Sequence, residues 1–291
     1  MNYLLLGVTA FIFMFQTISF KEFNLKYMKN IASYFLFNFI YFSLTVLILW
    51  ILSGGIKSLN PYTLWMGISF GIVFIGAIFS YMKAMELGPL SYSALFNSFG
   101  LLIPIIFGLF FWNEKIKLIQ LSGLLLLLAT FYLGNEPNED GDKKQSGLWF
   151  VFCFFAFIGN GALMVISKGQ QVLVIGEEVY EFLIIAFGTA AIISLLLFCW
   201  NHLYRKQEIE HFKSWSFAWV SIIAAISTAI GNWLMLLLTT RVPSVVQFPT
   251  INGGMVFLST LASSIIFKEK LSKKAMLGLL IGLMALVLLS L

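Results

Sequence analysis

The run from Glu178 to Trp200, EVYEFLIIAFGTAAIISLLLFCW, carries charges only in its first turn and is apolar over the rest. About 20 such residues, coiled at about 1.5 Å per residue, match the hydrocarbon core of a bilayer, which is about 30 Å thick. Nine further runs of this kind fill almost the whole chain, and no polar face is left on them to meet water. The sequence therefore predicts an all-α integral membrane protein whose function lies within its spans.

The predicted spans number ten, and most tryptophans lie near their ends, where the amphipathic indole ring suits the headgroup layer. The spans are Asn2–Phe20, Ile31–Leu52, Tyr62–Glu86, Ser91–Trp112, Ile116–Leu133, Gly147–Lys168, Glu178–Trp200, Trp215–Thr240, Ser244–Phe267 and Lys274–Leu291.

Composition excludes several classes of function. Only 11% of the residues are charged, against about 25% in an ordinary globular domain. The net charge of +5 comes from lysines in short loops, where they orient a membrane protein, so we expect no nucleic-acid partner. Cys153 and Cys199 lie in apolar runs and read as buried hydrophobes, and no spacing of ligands indicates a metal or other cofactor.

The segment Asn135–Ser146, NEPNEDGDKKQS, is the sharpest change of composition. It divides the chain into a first unit of five spans (residues 1–134), a polar linker (135–146) and a second unit of five spans (147–291). Five is an odd number, so a duplicated unit of five spans must run in opposite directions in its two copies. Inverted repeats of this kind place the substrate near the bilayer midplane, where the repeats meet.

Matches between the two halves support a repeat. Glu114 precedes Gly123 by the same nine residues that separate Glu269 from Gly278. At the same offset between the halves, Asn97 falls on Asn252, and further matched positions are Gly76 with Gly231 and, shifted by one residue, Pro89 with Pro243.

The order of an apolar span with Pro104, then Glu114, Gln120 and Gly123, resembles the drug/metabolite transporter superfamily in its ten-span EamA-type form. The resemblance implies a ten-helix transporter in which spans 1, 3, 4, 6, 8 and 9 surround a central cavity. It implies an integral protein of the cell membrane, in a bacterium the inner membrane. Most of the 18 lysine and arginine residues would face the cytoplasm if both termini lay outside, whereas the resembled proteins more often have cytoplasmic termini.

Neutral polar side chains within the spans are the candidates for binding a solute, because an amide in hydrocarbon needs hydrogen-bond partners. Each could equally act as packing glue between helices. The candidate binding residues are Gln16, Ser80, Tyr81, Asn97, Asn160, Asn232, Gln247 and Asn252. Aromatic residues that could line a pocket are Phe15, Phe96 and Trp233.

Charged side chains lie near the span ends. Lys83 and Glu86 are spaced to pair on one helix, and Glu178 and Glu181 are the remaining carboxylates for any coupling to protons. The first span offers Gln16 where the small multidrug-resistance relatives have a proton-exchanging glutamate.

We therefore expect a secondary transporter, not an enzyme, for a small neutral or zwitterionic metabolite such as an amino acid, with export as one candidate direction. An alternative is a carrier of anionic metabolites, of the nucleotide-sugar or phosphate-ester type, that uses Lys83, Lys168 or Arg241. A remote alternative is a non-transporting membrane scaffold. The small residues of the last span, Gly278 and Gly282, suit packing or a dimer contact, so both a monomer and a homodimer remain open.

Overall fold

A computed structural model describes residues 2–88, 90–134, 147–174, 177–206, 215–267 and 273–291. The predicted polar linker, Pro89 and Glu269 lie outside these residues. Over the described ranges the chain forms eleven α-helices, together with a π-helical turn at Trp200–Tyr204 that extends α8. The helices are α1 (Asn2–Lys26), α2 (Ile31–Ser53), α3 (Pro61–Leu87), α4 (Leu90–Phe99), α5 (Leu102–Phe111), α6 (Leu118–Gly134), α7 (Gly147–Leu173), α8 (Val179–Cys199), α9 (Trp215–Thr239), α10 (Ser244–Ile266) and α11 (Lys273–Ser290).

The helices fit the predicted order of spans, and the all-helical fold is confirmed. Eight segments are long and apolar enough to cross a membrane, with α4 and α5 counted together as the fourth. The fifth and tenth positions are held by shorter apolar helices, Leu118–Thr130 and Met276–Ser290. Large apolar side chains cover the outside of the molecule, and Leu118 and Phe110 are 83% and 77% exposed, as expected of a surface that faces lipid.

The fourth span is broken, and the ninth is not. Sequence analysis gave the fourth span as one unbroken run, but α4 ends at Phe99 and α5 begins at Leu102. Pro104 has no N–H to give the Gly100 carbonyl, which accepts instead from Ile103 N at 3.1 Å, so the regular helical ladder is interrupted here. In contrast, α10 runs unbroken through Pro249.

The first five spans and the last five pack against one another throughout the structure. The most extensive helix pairs are α3 with α7, α2 with α8, α1 with α9 and α6 with α11, and each of them joins the first half to the second. The pairing therefore places the interface between the halves along the whole molecule.

Glycines allow these helices to approach closely. A Cβ atom on Gly159 of α7 would lie 2.6 Å from the Cβ of Ala77 on α3, and one on Gly71 of α3 would lie 2.7 Å from the Ala186 carbonyl oxygen on α8. Small residues are a usual means of packing helices in membranes, because lipid supplies no hydrophobic force between them. These contacts fix α3, α7 and α8 around the space described below.

The packing predicts that Gly159→Ala lowers the melting temperature of the protein. The added methyl group meets Ala77 backbone atoms, with the Cα at 3.1 Å, so the helices must separate, and overpacking of this kind costs about 1–3 kcal/mol. Melting followed by tryptophan fluorescence in detergent micelles measures the effect. Gly188→Ala on α8 is the matched control, since a Cβ there meets no atom within 4 Å. Equal melting temperatures for the two variants would contradict the packing.

Candidate functional site

A cavity of about 220 Å³ lies where α1, α3, α7, α8, α9 and α10 meet. Its polar lining residues are Gln16, Asn160, Ser167, Thr228, Asn232 and Asn252. Its apolar lining residues are Phe13, Phe20, Phe70, Phe74, Leu163, Met164, Phe187, Met235, Ile251 and Met255. Within this described lining no side chain carries a formal charge. A largely apolar space with a few converging polar groups is typical of a site for a small molecule.

Four of the eight candidate residues come together here, namely Gln16, Asn160, Asn232 and Asn252. The other four lie elsewhere. Gln247 is fully buried, and its Nε2 donates to the Met235 carbonyl at 2.7 Å, and Asn97 contributes its backbone carbonyl to Asn160 rather than a side chain to the lining. Ser80 and Tyr81 lie on α3 beyond Phe74, outside the described lining.

The nitrogens of the four lining amides are all held by the protein. Asn160 Nδ2 donates to the Asn97 carbonyl, Asn232 Nδ2 to the Thr228 carbonyl and Asn252 Nδ2 to the Phe248 carbonyl, each at 2.8 Å. In the fourth case Nε2 of Gln16 donates to the Thr228 hydroxyl at 2.6 Å, and that hydroxyl donates to the Ala224 carbonyl.

These bonds fix the chemistry that the amides can offer a solute. A backbone carbonyl can only accept a hydrogen bond, so the amide must turn its nitrogen toward it and its oxygen away. Four amide oxygens are thereby left to accept hydrogen bonds. The cavity therefore presents four acceptor oxygens, and the second N–H of each amide, among aromatic rings and thioethers.

The lining differs in two ways from what the sequence indicated. Sequence analysis placed the fourth span around the cavity, but among its described side chains none lies in the lining, while Phe187 of the seventh span does. The aromatic candidates also lie elsewhere: Phe96 packs edge-to-face on Trp149, and Trp233 stacks on Tyr180. Phe15 packs on Phe11.

A buried ion pair closes one end of this region. The predicted sixth span stopped at Lys168, but α7 continues to Leu173, so Lys168 lies inside the helix and is only 3% exposed. Its Nζ pairs with Glu114 Oε1, and the ammonium also lies 5.3 Å from the centre of the Trp112 ring. Ser244 completes the network, because its N–H donates to Glu114 Oε2 at 2.8 Å.

This network joins the two halves of the chain. Glu114 follows α5, whereas Lys168 and Ser244 belong to α7 and α10. Ser167, which precedes Lys168 on α7, lines the cavity. The ion pair is therefore adjacent to the candidate site.

We predict that Glu114→Gln strongly destabilises the protein, because it leaves the Lys168 ammonium buried without its counter-ion. Breaking one partner of a buried pair costs about 3–5 kcal/mol, whereas removing both charges often recovers that loss. Melting temperatures of Glu114→Gln, Lys168→Met and the double variant measure the coupling. Glu22→Gln is the control, since it breaks the exposed pair with Lys26, whose contribution is at most about 1 kcal/mol. A double variant that melts no higher than Glu114→Gln would contradict the pairing.

Three other charged candidates serve local structure. Both oxygens of Glu178 accept from Asn60 N at 2.9 Å, and Glu181 Oε1 accepts from Lys57 N at 3.3 Å, so these carboxylates hold the loop between α2 and α3. Lys83 pairs with Glu86 at 2.6 Å on one helix, as the spacing predicted.

The pKa of Glu178, which precedes α8 outside the span, is set by opposing effects. Burial acts to raise the pKa, but hydrogen bonds from Thr63, from the Asn60 backbone and from Ser58 outweigh it and hold the pKa below its ordinary value of 4.5. A group with a lowered pKa in the folded state stabilises the fold above its ordinary pKa. That contribution is lost as the pH falls through the folded-state pKa.

Glu178→Gln should therefore lower the melting temperature at neutral pH, and the difference from wild type should shrink as the pH falls below about 4. Glu177→Gln, which alters an exposed neighbour, serves as the control across the same pH series. A difference that stays constant down to pH 3 would show that the charge of Glu178 does not hold the loop.

No group of three or more His, Cys, Asp or Glu side chains in the described part of the chain could hold a metal ion.

Comparisons with known proteins identify the family and the fold. Residues 145–291 match the EamA-like transporter family. An uncharacterized protein of Haemophilus influenzae is 26% identical over 241 residues, which cover 78% of this chain and 74% of that protein. A protein of known crystal structure has 15% sequence identity and a TM-score of 0.73, with 100% of this chain and 98% of that chain covered, and so shares the fold.

Proposed function

This chain belongs to the EamA-like transporter family, and from that premise we propose that it is a secondary transporter of a small neutral or zwitterionic metabolite. Membership makes it an integral membrane protein of a family of transporters. The observation that carries the finer proposal is the cavity with four amide oxygens and no charged lining side chain. A fixed net charge on the solute would find no oppositely charged side chain there.

The direction of the amides favours a solute that donates hydrogen bonds. An amine, ammonium or hydroxyl group could donate to the oxygens of Asn160, Asn232 and Asn252, whose nitrogens each already donate one hydrogen bond to a backbone carbonyl. Aromatic faces near these oxygens also attract an ammonium group through cation–π interaction. A zwitterion such as an amino acid would place its ammonium group on this set and direct its carboxylate to water.

The anionic alternative finds less support. Lys168 is neutralised by Glu114, and Lys83 is paired with Glu86. Arg241 lies beside a second, more polar cavity of about 580 Å³ with Glu114 and Lys168, beyond the ion pair from the amide oxygens.

An inverted repeat with alternating access is part of the proposal. In a repeat of five spans, α1 corresponds to α7, α2 to α8, α3 to α9 and α6 to α11. Under a two-fold exchange of the halves the α1–α9 pair becomes the α7–α3 pair, while the α2–α8 and α6–α11 pairs are unchanged, and all of these pairs are in contact. The network of Glu114, Lys168 and Ser244 crosses between the halves at one end, so we propose that it separates when that end opens.

We propose that transport is facilitated exchange without coupling to protons, because neither candidate carboxylate is suited to carry a proton. The lowered pKa of Glu178 keeps this group ionised at physiological pH, which makes it a poor carrier of protons. Glu181 accepts a hydrogen bond from the same loop, at Lys57 N, and neither Glu178 nor Glu181 lines the cavity.

A thermal-shift screen of metabolites on the purified protein tests the substrate class, because a ligand that binds only the folded state raises the melting temperature. Neutral metabolites and zwitterionic amino acids should raise it, whereas phosphorylated sugars should not. Counterflow in proteoliposomes loaded with each hit then distinguishes a carrier from a scaffold that only binds.

We predict that Asn252→Leu and Asn232→Leu each reduce counterflow at least about fivefold while the protein still inserts and melts cooperatively. Each change removes one acceptor oxygen, and an unpaired donor on the bound solute costs about 1–3 kcal/mol. Thr260→Val on α10 is the matched control, since this hydroxyl donates to the Val256 carbonyl away from the lining.

Full counterflow in both asparagine variants would overturn the amide-lined site. If Arg241→Gln abolishes uptake of a phosphorylated solute while the asparagine variants retain it, the protein is a carrier of anionic metabolites.

A further inference from the structure

A second groove lies on the outside of the helices, between α2, α3 and the end of α8. It encloses about 470 Å³ and shares no lining residue with the amide-lined cavity. Its wall is formed by Ile31, Phe35, Ile75, Phe79, Leu197 and Trp200. We call it the α2–α3–α8 groove.

Two cationic side chains stand at one end of the groove. Lys83 is near the carboxyl end of α3, and Arg205 follows the π-helical turn that extends α8. The deeper wall reaches Gly76, seven residues before Lys83, so the apolar part extends about 10 Å from the charges.

One positive charge is left over at this end. Lys83 is paired with Glu86 at 2.6 Å, so the excess charge comes from Arg205, which is exposed and whose guanidinium has no hydrogen bond or ion pair within the described residues. An apolar channel that ends in excess positive charge complements a molecule with a hydrocarbon tail and an anionic head.

We propose that the α2–α3–α8 groove binds an anionic phospholipid, with one acyl chain along the apolar wall and the phosphate group at Lys83 and Arg205. Juxtamembrane lysines and arginines attract anionic lipids, each by about 1 kcal/mol. The proposal concerns a face of the protein away from the amide-lined cavity and does not depend on what that cavity carries.

The open space beside Gly76 distinguishes α3 from α9. A Cβ on Gly76 would meet no atom within 4 Å, so the glycine leaves open space. At Gly231, its equivalent in the repeat, a Cβ would lie 2.7 Å from the Phe13 ring, which fills the corresponding space. Gly76 therefore admits a larger side chain that would occupy the groove without disturbing the helices.

Native mass spectrometry tests the proposal on the full chain, purified in detergent and incubated with phosphatidylglycerol or phosphatidylcholine. Wild type should retain phosphatidylglycerol preferentially. Lys83→Gln and Arg205→Gln should each weaken retention about fivefold, and Gly76→Leu should abolish it. Lys26→Gln, which alters a paired lysine at the same end of the molecule, and Gly7→Leu, at an open glycine of α1, are the matched controls.

Equal retention of the two lipids, or undiminished retention by both charge variants, would overturn the proposal. If Gly76→Leu does not fold, the charge variants still decide. Soluble glycerol 3-phosphate in excess should not displace the lipid, and displacement by it would assign the cations to a free phosphate ester instead.

Discussion

The donors of a side-chain amide in a membrane helix must find acceptors within the protein, because hydrocarbon offers none. Asn232 and Asn252 solve this in the same way, each by donating to the carbonyl four residues earlier on its own helix. That local bond turns each amide oxygen outward from the helix. The arrangement leaves the cavity polar without placing a charged side chain in its described lining.

The same constraint explains where charge is tolerated. Lys168 lies within α7, and the Glu114 carboxylate that neutralises it also takes the Ser244 N–H at the start of α10. Helix α10 begins here after Pro243, so its first N–H groups have no partner within the helix and favour a carboxylate. One carboxylate thus serves a buried ammonium and a helix terminus, and it connects both halves while doing so. The buried ion pair thus lies at this end, and neutral acceptors line the cavity.

The sequence predicted the helices well, because apolar length alone identifies a span, but it identified the site only in part. Polarity drew attention to Gln16 and Asn160 and equally to Gln247, and only packing shows that Gln247 is turned into the Met235 backbone. The aromatic lining had no signal at all, since Phe70 and Phe74 are two among 31 phenylalanines. The partner of Lys168 also lies 54 residues away in the chain, beyond the reach of any local pattern.

Equivalent positions in the two halves share a residue type for opposite physical reasons. Gly231 is needed because the Phe13 ring occupies the place of its side chain, whereas the space beside Gly76 is empty of protein. The sequence cannot distinguish the two cases, because a glycine indicates only that a Cβ atom is absent and not what occupies the space beside it. What differs is whether a neighbouring side chain takes up the vacated space, and this difference allows α3 to border the cavity through Phe70 and Phe74 and the α2–α3–α8 groove through Gly76.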